Sequence, residues 1–275
     1  MCTLINMVVA PVCYSYFSTE EERARGGFVA SHLAPVDLEQ VERHGADRTI
    51  AAIEVPPFTM LHNGAPAGLL PDLIAELDRR IGGRTRMILV SVNRLRKLLE
   101  TGAVDFAFLP TGLVESKTGL MPLARVADVG LTLWPRKGIS IRHYSDMQGL
   151  VYASLRNGYF SQLFDTEPLM EYAPIDHFWQ AAQLLKGGRV DAVAGAATAL
   201  LYSFDKGAID PADLGGAYVL EVSEVWLYLV PGKQRKSVDD KLVTELEKMY
   251  REGRYLHHRN AYVEAARLPK FTPKN

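Results

Sequence analysis

The chain has 275 residues, of which 48% are hydrophobic and 23% charged, as is usual for a soluble globular protein with a buried core. Its 31 Lys and Arg residues against 32 Asp and Glu residues give a formal net charge of −1. The sequence has no cluster of basic residues of the kind that binds nucleic acid. No apolar run approaches the ~18 residues that would span a bilayer.

The first 48 residues contain no clear structural pattern. Cys2 and Cys13 are the only cysteines; they cannot form a disulfide framework, and no Cys and His grouping indicates a zinc site. No Lys or Arg precedes Arg23, so the basic region of a secretory signal is absent. We expect residues 1–48 to be a poorly defined N-terminal extension outside the fold.

The pattern from residue 49 onward alternates between strands and helices. A short apolar run from Thr49 to Val55, stopped by two prolines, predicts a buried strand. Asn63-Gly64 marks a turn, and Gly82-Gly83 ends a helix that begins near Leu70. The other elements predicted in this unit are a strand over 86–92, a helix near 95–99 and a strand over 105–109. This alternation predicts a parallel sheet with right-handed crossovers.

An internal repeat is the most informative feature of the sequence. Residues 98–107 and 184–193 both read Leu-Leu-x-x-Gly-x-Val-Asp followed by two apolar residues. Each copy predicts an amphipathic helix that ends at a glycine and is followed by a tight step into a buried strand. Such junctions are common in α/β proteins, so a chance match is the alternative.

The second unit begins near Gly138 and repeats the strand and helix pattern. Its predicted elements are strands over 149–155, 170–173 and 190–194, a short helix over 159–164 and a helix over 178–185. Two apolar stretches, 126–135 and 218–230, are long enough to connect the units, and a final amphipathic helix with Leu242, Leu246 and Met249 is expected to pack on the first unit. Two crossings predict a two-stranded hinge about which domains can close on a ligand.

These residues resemble the type II periplasmic solute-binding proteins, in the family 3 branch known for binding polar amino acids. The resemblance covers residues 48–265. It is carried by Val55–Phe58, Gly68–Leu73, Gly102–Asp105, Leu131–Gly138 and Leu184–Val193. It implies an α/β fold of two Rossmann-like lobes joined by a two-stranded hinge, with residues 49–132 and 222–275 in lobe 1 and residues 133–221 in lobe 2.

The resemblance also implies a ligand site in the loops that follow the carboxyl ends of the strands. Phe58 matches the family's aromatic residue that lies against the ligand, although a core phenylalanine is the alternative. The turn at 157–159 suits an anionic ligand group at a helix N-terminus, or is an ordinary turn. Thr111 would donate a hydrogen bond or cap a helix. The full set of candidate ligand-binding residues is Phe58, Asn93, Thr111, Lys117, Asn157, Gly158, Tyr159 and Ala196.

Three of these positions depart from the amino-acid binders. Lys117 stands where they place the arginine that holds the ligand carboxylate, and Ala196 stands where they place an aspartate for the ligand ammonium. Asn93 replaces a further aromatic residue. Because a lysine lacks the planar bidentate fork of an arginine, we expect common α-amino acids not to bind. A monoanion, a neutral polar solute or an apolar acid fits the site better.

The function implied is that of a monomeric periplasmic solute-binding protein that delivers a small polar or anionic ligand to the permease of an ABC-type transporter. No catalysis, cofactor, metal or nucleic acid is expected. One alternative is an enzyme on the same scaffold, such as a dehydratase, with an acid or base among Glu54, Asp176, His177, Glu221 and Glu224. The other is a protein that has lost ligand binding and serves as a partner in a periplasmic complex.

Overall fold

The computed structural model describes residues 46–113, 119–156, 158, 161, 164–165, 169–232 and 240–265. The predicted extension over residues 1–48 therefore lies outside the described residues except for its last three, and so do Cys2 and Cys13. The strand that was predicted to start at Thr49 begins one residue earlier, at Arg48.

The described residues form an α/β structure of ten strands and six α-helices. The strands are β1 (Arg48–Ile53), β2 (Met60–His62), β3 (Ala65–Ala67), β4 (Thr85–Val90), β5 (Phe106–Pro110), β6 (Met121–Pro135), β7 (Val151–Leu155), β8 (Glu171–Ile175), β9 (Ala192–Ala196) and β10 (Tyr218–Leu229). The helices are α1 (Leu69–Ile81), α2 (Val92–Glu100), α3 (Phe178–Lys186), α4 (Ala197–Lys206), α5 (Asp240–Arg251) and α6 (Arg254–Ala265). None of these helices is long and apolar enough to cross a membrane.

One eight-stranded sheet runs through both lobes, in the order β4-β1-β5-β10-β6-β9-β7-β8. In lobe 1, β1 pairs in parallel with β4 and β5. In lobe 2, β7 pairs in parallel with β8 and β9. The long strands β6 and β10 pair antiparallel with each other between these two parallel sets. The predicted α/β fold of two lobes joined by a two-stranded hinge is confirmed.

The register of β6 and β10 locates the hinge. Strand β10 pairs with β5 only from Val225 onward, and β6 pairs with β9 only from Leu131 onward. Between these points the sheet is only two strands wide. Three residue pairs join Asp128–Gly130 to Val222–Glu224, and neither segment pairs with another strand of the described sheet. We call these two segments the hinge ribbon. The lobe limits after residues 132 and 221 stay predictions, because the sheet is continuous through both lobes.

The internal repeat has the same structural role in each lobe. The carboxylate of Asp105 accepts a hydrogen bond from the backbone N–H of Thr49, at 2.9 Å, near the start of β1. The carboxylate of Asp191 accepts one from the backbone N–H of Val151, at 3.1 Å, at the start of β7. In both copies the preceding helix is followed by a glycine with positive φ, 62° at Gly102 and 64° at Gly188. The motif therefore ties the third strand of each lobe to its first.

The core of lobe 1 lies between the sheet and helices α1, α5 and α6. Apolar spacing on α1 buries Leu73 and Leu77, and α5 adds Leu242, Leu246 and Met249 to the same cluster. The final amphipathic helix therefore packs on the first unit, as its sequence predicts. Lobe 2 has two apolar clusters, which include Leu133, Met147 and Tyr152 on one side and Leu185, Val193 and Phe204 on the other.

Two strands and two helices are additional to the predicted elements. Strands β2 and β3 form a hairpin around the predicted Asn63-Gly64 turn, with φ angles of 51° and 78°. The segment after β9, where the resemblance implies a loop, is helix α4. Helix α6 has no apolar stripe in its sequence and is stabilised by contacts with α1. The predicted short helix over 159–164 lies outside the described residues, apart from Ser161 and Phe164.

Candidate ligand-binding site

The carboxyl ends of strands from both lobes meet at the hinge ribbon. Pro110, the last residue of β5, pairs with Val225 just beyond one end of the ribbon. Ala196, the last residue of β9, pairs with Leu131 just beyond the other end. Ligands of open α/β sheets bind beyond the carboxyl ends of the strands, so the loops that leave these ends form the candidate site. The lobes touch here, because the Tyr202 hydroxyl of α4 donates to the Met60 sulfur of β2 at 4.0 Å.

Phe58 follows β1, as predicted, but its ring lies in the core of lobe 1. Its exposed fraction is 9%, and the ring stacks on Tyr255 of α6, with 6.4 Å between centroids and an interplanar angle of 6°. Thr59 next to it bonds back to the start of the loop, since its hydroxyl donates to the carbonyl of Ile53. This placement favours the core interpretation of Phe58 over that of a ligand-facing wall.

The other predicted residues divide between exposed positions and positions outside the described residues. Asn93 is exposed in the first turn of α2 and already has an interaction partner. Thr111 is exposed at the start of a short 3₁₀ turn that follows β5. Gly158 is exposed, and its N–H donates to the carbonyl of Leu155 at 3.0 Å. Lys117, Asn157 and Tyr159 lie outside the described residues, so their predicted roles stay predictions.

An apolar surface joins the hinge ribbon to lobe 2. Val129 and Val225 of the two long strands and Phe178 and Ala196 of lobe 2 all pack against the lobe 1 core, and Ala199 of α4 is fully buried in it. We call these five residues the interlobe patch. The Phe178 ring covers Gly195, where an added Cβ would lie 2.6 Å from a ring carbon. Phe178 also packs against the core of lobe 2, so it links the two lobes.

Ser223 lies in the centre of the hinge ribbon, directly opposite Val129. Its exposed fraction is 1%, and its hydroxyl oxygen has no hydrogen-bond partner. Since side chains alternate along a strand, Ser223 is on the same side of β10 as Val225 of the interlobe patch. The neighbouring residue Val222 points the other way and is 60% exposed. Ser223 is therefore a polar group at the apolar junction between the lobes.

The two carboxylates of the hinge ribbon, Asp128 and Glu224, accept hydrogen bonds from other side chains of the protein. Arg125 donates to Asp128 at 2.8 Å and to Glu224 at 2.5 Å. The Tyr250 hydroxyl of α5 donates to Asp128 at 2.9 Å, and the Trp226 indole donates to Glu224 at 2.8 Å. The guanidinium also lies 5.0 Å from the centre of the Tyr250 ring. Asp128 and Glu224 are therefore already satisfied by protein donors.

Three of the five residues considered as catalytic candidates take part in hydrogen bonds or ion pairs within the protein. Glu224 belongs to the hinge network, and Asp176 lies 3.5 Å from Arg156 in an exposed ion pair. His177 precedes α3, where its backbone N–H donates to the Gln180 side chain at 3.0 Å. Among the described residues no three His, Cys, Asp or Glu side chains are placed to hold a metal ion.

Comparisons with known proteins identify the fold. No family model matches the chain, and no curated protein matches its sequence. The GluR0 ligand-binding core from Nostoc punctiforme, in complex with L-glutamate, is 18% identical, with a TM-score of 0.62 over 78% of this chain and 98% of that one. A mutant of ArgBP from T. maritima is 19% identical, with a TM-score of 0.60 over 83% and 97%. AncCDT-1, an ancestral amino acid-binding protein and precursor of cyclohexadienyl dehydratase, is 16% identical, with a TM-score of 0.62 over 82% and 97%.

The chain has the two-lobed periplasmic binding protein fold. The candidate site of the described residues adds Phe178 and Ser223 to the set predicted from sequence, and that set stays a prediction. Strand β8 is parallel to β7, so the carboxyl ends of both strands lie at the same edge of the sheet. Phe178 follows β8, and the rule that ligands bind beyond the carboxyl ends of parallel strands would have included it. For Ser223 the sequence holds no signal, because its missing hydrogen bond depends on the three-dimensional neighbours.

Proposed function

We propose that this protein binds a small molecule between its two lobes and that the lobes close on it about the hinge ribbon. The observation that carries the proposal is the register at the hinge. Strands β5 and β9 end on either side of a segment in which only three residue pairs, Gly130/Val222, Val129/Ser223 and Asp128/Glu224, connect the lobes within the described sheet. A two-stranded connection of this length bends more easily than the multi-stranded sheet on either side.

The composition of the junction supports a mobile contact with a binding role. The interlobe patch consists of small and apolar side chains, and the Tyr202–Met60 contact is a weak hydrogen bond to sulfur. Separating such surfaces breaks no strong ion pair. Proteins of the same fold support the proposal by analogy, since the GluR0 core was crystallised with L-glutamate and AncCDT-1 is an amino acid-binding protein.

The finer parts of the proposal follow from the sequence resemblance. The protein works outside the cytoplasm as a monomer and passes its ligand to the permease of an ABC-type transporter, with no catalytic step. We also propose that the ligand is not a common α-amino acid. Ala196 offers no carboxylate for a ligand ammonium, and the described carboxylates of the hinge, Asp128 and Glu224, are already paired with Arg125.

Native mass spectrometry of freshly purified protein, followed by small-angle scattering, tests this proposal. A co-purified small molecule should be released on denaturation, and its removal should increase the radius of gyration. Ala196→Trp, which places a large ring at the end of β9, should give the larger radius and should not respond to the re-added compound. Ala75→Trp, on the exposed side of α1, should behave like the parent protein. An unchanged radius at saturating compound would refute closure.

The same measurements separate the alternative functions. An enzyme would convert the co-purified compound during incubation, and the mass spectrum would record a product. A partner protein without ligand binding would carry no compound and would show one radius of gyration under all conditions. The interlobe patch of such a protein would stay buried under all conditions.

A further inference from the structure

Ser223 differs from the other buried hydroxyl groups of the protein. Thr132 Oγ1 donates to the Gly195 carbonyl at 3.2 Å, Ser154 Oγ donates to the Ala194 carbonyl at 2.8 Å, and Ser203 Oγ donates to the Phe178 carbonyl at 2.5 Å. Among the described residues, Ser223 Oγ is the one buried hydroxyl oxygen without a hydrogen-bond partner. Burying a hydroxyl in this way is unfavourable, and unsatisfied groups are rare in folded proteins.

The position of Ser223 relates the missing partner to the lobes. The residue is at the middle pair of the hinge ribbon, opposite Val129, and it lies on the side of the interlobe patch. When the lobes separate, water can reach this position and satisfy the hydroxyl. When they close without a ligand, the hydroxyl loses water and gains no partner. A ligand that brings an acceptor to this point would remove the penalty of closure.

The surroundings of Ser223 determine the kind of acceptor. Val129 is directly opposite Ser223, and Val225 is on the same side of β10. Phe178, Ala196 and Ala199 of lobe 2 belong to the same apolar cluster as these two valines. The ribbon's carboxylates, Asp128 and Glu224, are satisfied by Arg125, Tyr250 and Trp226. Glu221, two residues before Ser223, already has an interaction partner. An ionic ligand group beside Ser223 would lose its hydration without a compensating charge.

We propose that Ser223 is a ligand-binding residue whose hydroxyl donates a hydrogen bond to an uncharged oxygen, such as an amide carbonyl, of a small ligand with a branched apolar body. The interlobe patch contacts the apolar body, with the Phe178 ring as its largest surface. This inference rests on the proposed function, and it specifies the ligand class for the same interlobe site.

The first test needs no ligand. Ser223→Ala removes the penalty of closing without a ligand, so the ligand-free variant should have a smaller radius of gyration than the parent protein, and its melting temperature should not fall. Ser154→Ala is the matched control, because Ser154 is as deeply buried but its hydroxyl is bonded, and its melting temperature should fall by about 2–4 °C. A fall for Ser223→Ala as well would show that its hydroxyl has a partner, and this would overturn the proposal.

The second test uses isobutyramide and isovaleramide as probes, with isovalerate and L-leucine as charged compounds of similar shape. Isothermal titration should show binding of the amides to the parent protein, and binding should weaken about tenfold in Ser223→Ala. Isovalerate and L-leucine should bind more weakly than the amides to both proteins. Tight binding of L-leucine, or no binding of either amide, would overturn the proposed ligand class.

The outcomes also separate this inference from the proposed function. Suppose that a co-purified compound binds with a decrease in the radius of gyration and that Ser223→Ala binds it equally well. The role of Ser223 is then wrong, while closure on a ligand stands. If no compound changes the radius, the proposed function fails, whatever the melting temperature of Ser223→Ala.

Discussion

Asp128 on β6 lies directly opposite Glu224 on β10, and Arg125 hydrogen-bonds to both carboxylates. Like charges at directly opposed positions of a sheet repel each other. A register shift next to Trp226 places the extra residue Val126 in β6 between two residue pairs. Without this bulge, Arg125 and Asp128, three positions apart, would point to opposite faces of the strand. The bulge therefore brings the guanidinium to the carboxylates.

Replacing Arg125 should expose this repulsion at the hinge. We expect Arg125→Met to lower the free energy of unfolding by about 1 kcal/mol, since the pairs are partly exposed and solvent screens them. The loss should shrink when salt is raised, as measured by thermal unfolding at low and high ionic strength. Arg251→Met is the control, because Arg251 is 3.9 Å from Glu247 in an exposed pair and its loss should leave stability unchanged. Equal effects of the two substitutions would contradict a special role for Arg125.

Glu76 should make stability depend on acid pH. Burial alone would raise the pKa of this carboxyl, but hydrogen bonds from Arg254, His258 and Arg80 outweigh it and lower the pKa from 4.5 to about 2. A depressed folded pKa stabilises the protein at pH values above the unfolded pKa of 4.5, and this contribution is lost as the pH falls toward 2. Glu76→Gln should therefore lower the free energy of unfolding by about 3 kcal/mol at pH 7.

Thermal unfolding from pH 7 to pH 2.5 measures this contribution. The melting temperatures of the parent protein and Glu76→Gln should differ by roughly 5–10 °C at neutral pH and should converge as the pH approaches the low folded pKa. Glu247→Gln, in an exposed ion pair, should follow the parent protein throughout. A difference for Glu76→Gln that is constant with pH would mean that its charge is not the cause.

Phe58 and Tyr255 should act as one packing unit. Because the stacked rings are both in the lobe 1 core, Phe58→Ala should cost about 3–5 kcal/mol of stability. Tyr255→Ala should cost a similar amount, and the double variant should cost less than the sum because the two rings share a cavity. Trp179→Ala, at an exposed position on α3, is the control and should be neutral. If Phe58→Ala weakens ligand binding and leaves the melting temperature intact, the ring faces the ligand, as the sequence resemblance implies.

Gly195 should tolerate no side chain while Phe178 covers it. An added Cβ would lie 2.6 Å and 2.7 Å from two carbons of the ring, so Gly195→Ala must displace Phe178 from the interlobe patch. We expect a loss of about 1–3 kcal/mol in unfolding free energy and weaker ligand binding. Phe178→Leu in the Gly195→Ala background should recover part of the stability, because the shorter side chain leaves room for the methyl group. Gly216→Ala has nothing within 4 Å of the added Cβ and serves as the control.

The sequence predicted the parallel strands and most helices because their apolar residues follow the period of each element. The limits of α1 and β5 differ from the predictions by one residue. Helix α4 was missed although Ala197, Leu200, Leu201 and Phe204 follow helical spacing, because its opening consists of small residues and has no capping side chain. Helix α6 was missed because Tyr255 is the only buried side chain in residues 254–261, and the helix is also attached through ion pairs from Arg254 and His258 to Glu76. Such pairs form between residues far apart in the chain and leave no local periodicity.

The candidate site was less predictable than the fold. Ala196 was chosen because the family resemblance implies a ligand-binding residue there, and the structure places it at the end of β9. The environment of Phe58 depends on Tyr255, almost two hundred residues away, and on a helix that the sequence did not indicate. Whether the hydroxyl of Ser223 is hydrogen-bonded depends on which groups surround it in the folded protein. Properties of this kind become visible only when all neighbours are known.

The path of the chain has a consequence for folding during synthesis. The core of lobe 2 is drawn from one continuous part of the chain, from Leu133 in β6 to Leu220 in β10. The core of lobe 1 needs Leu227 from β10, Leu242 from α5 and Tyr255 from α6, which leave the ribosome last. Lobe 2 can therefore complete its core first. Until α5 and α6 are synthesised, the apolar side of α1 in lobe 1 lacks the residues that pack against it. A chain truncated near residue 225 should be a ready substrate for chaperones that bind exposed apolar helices, although it contains all the core residues of lobe 2.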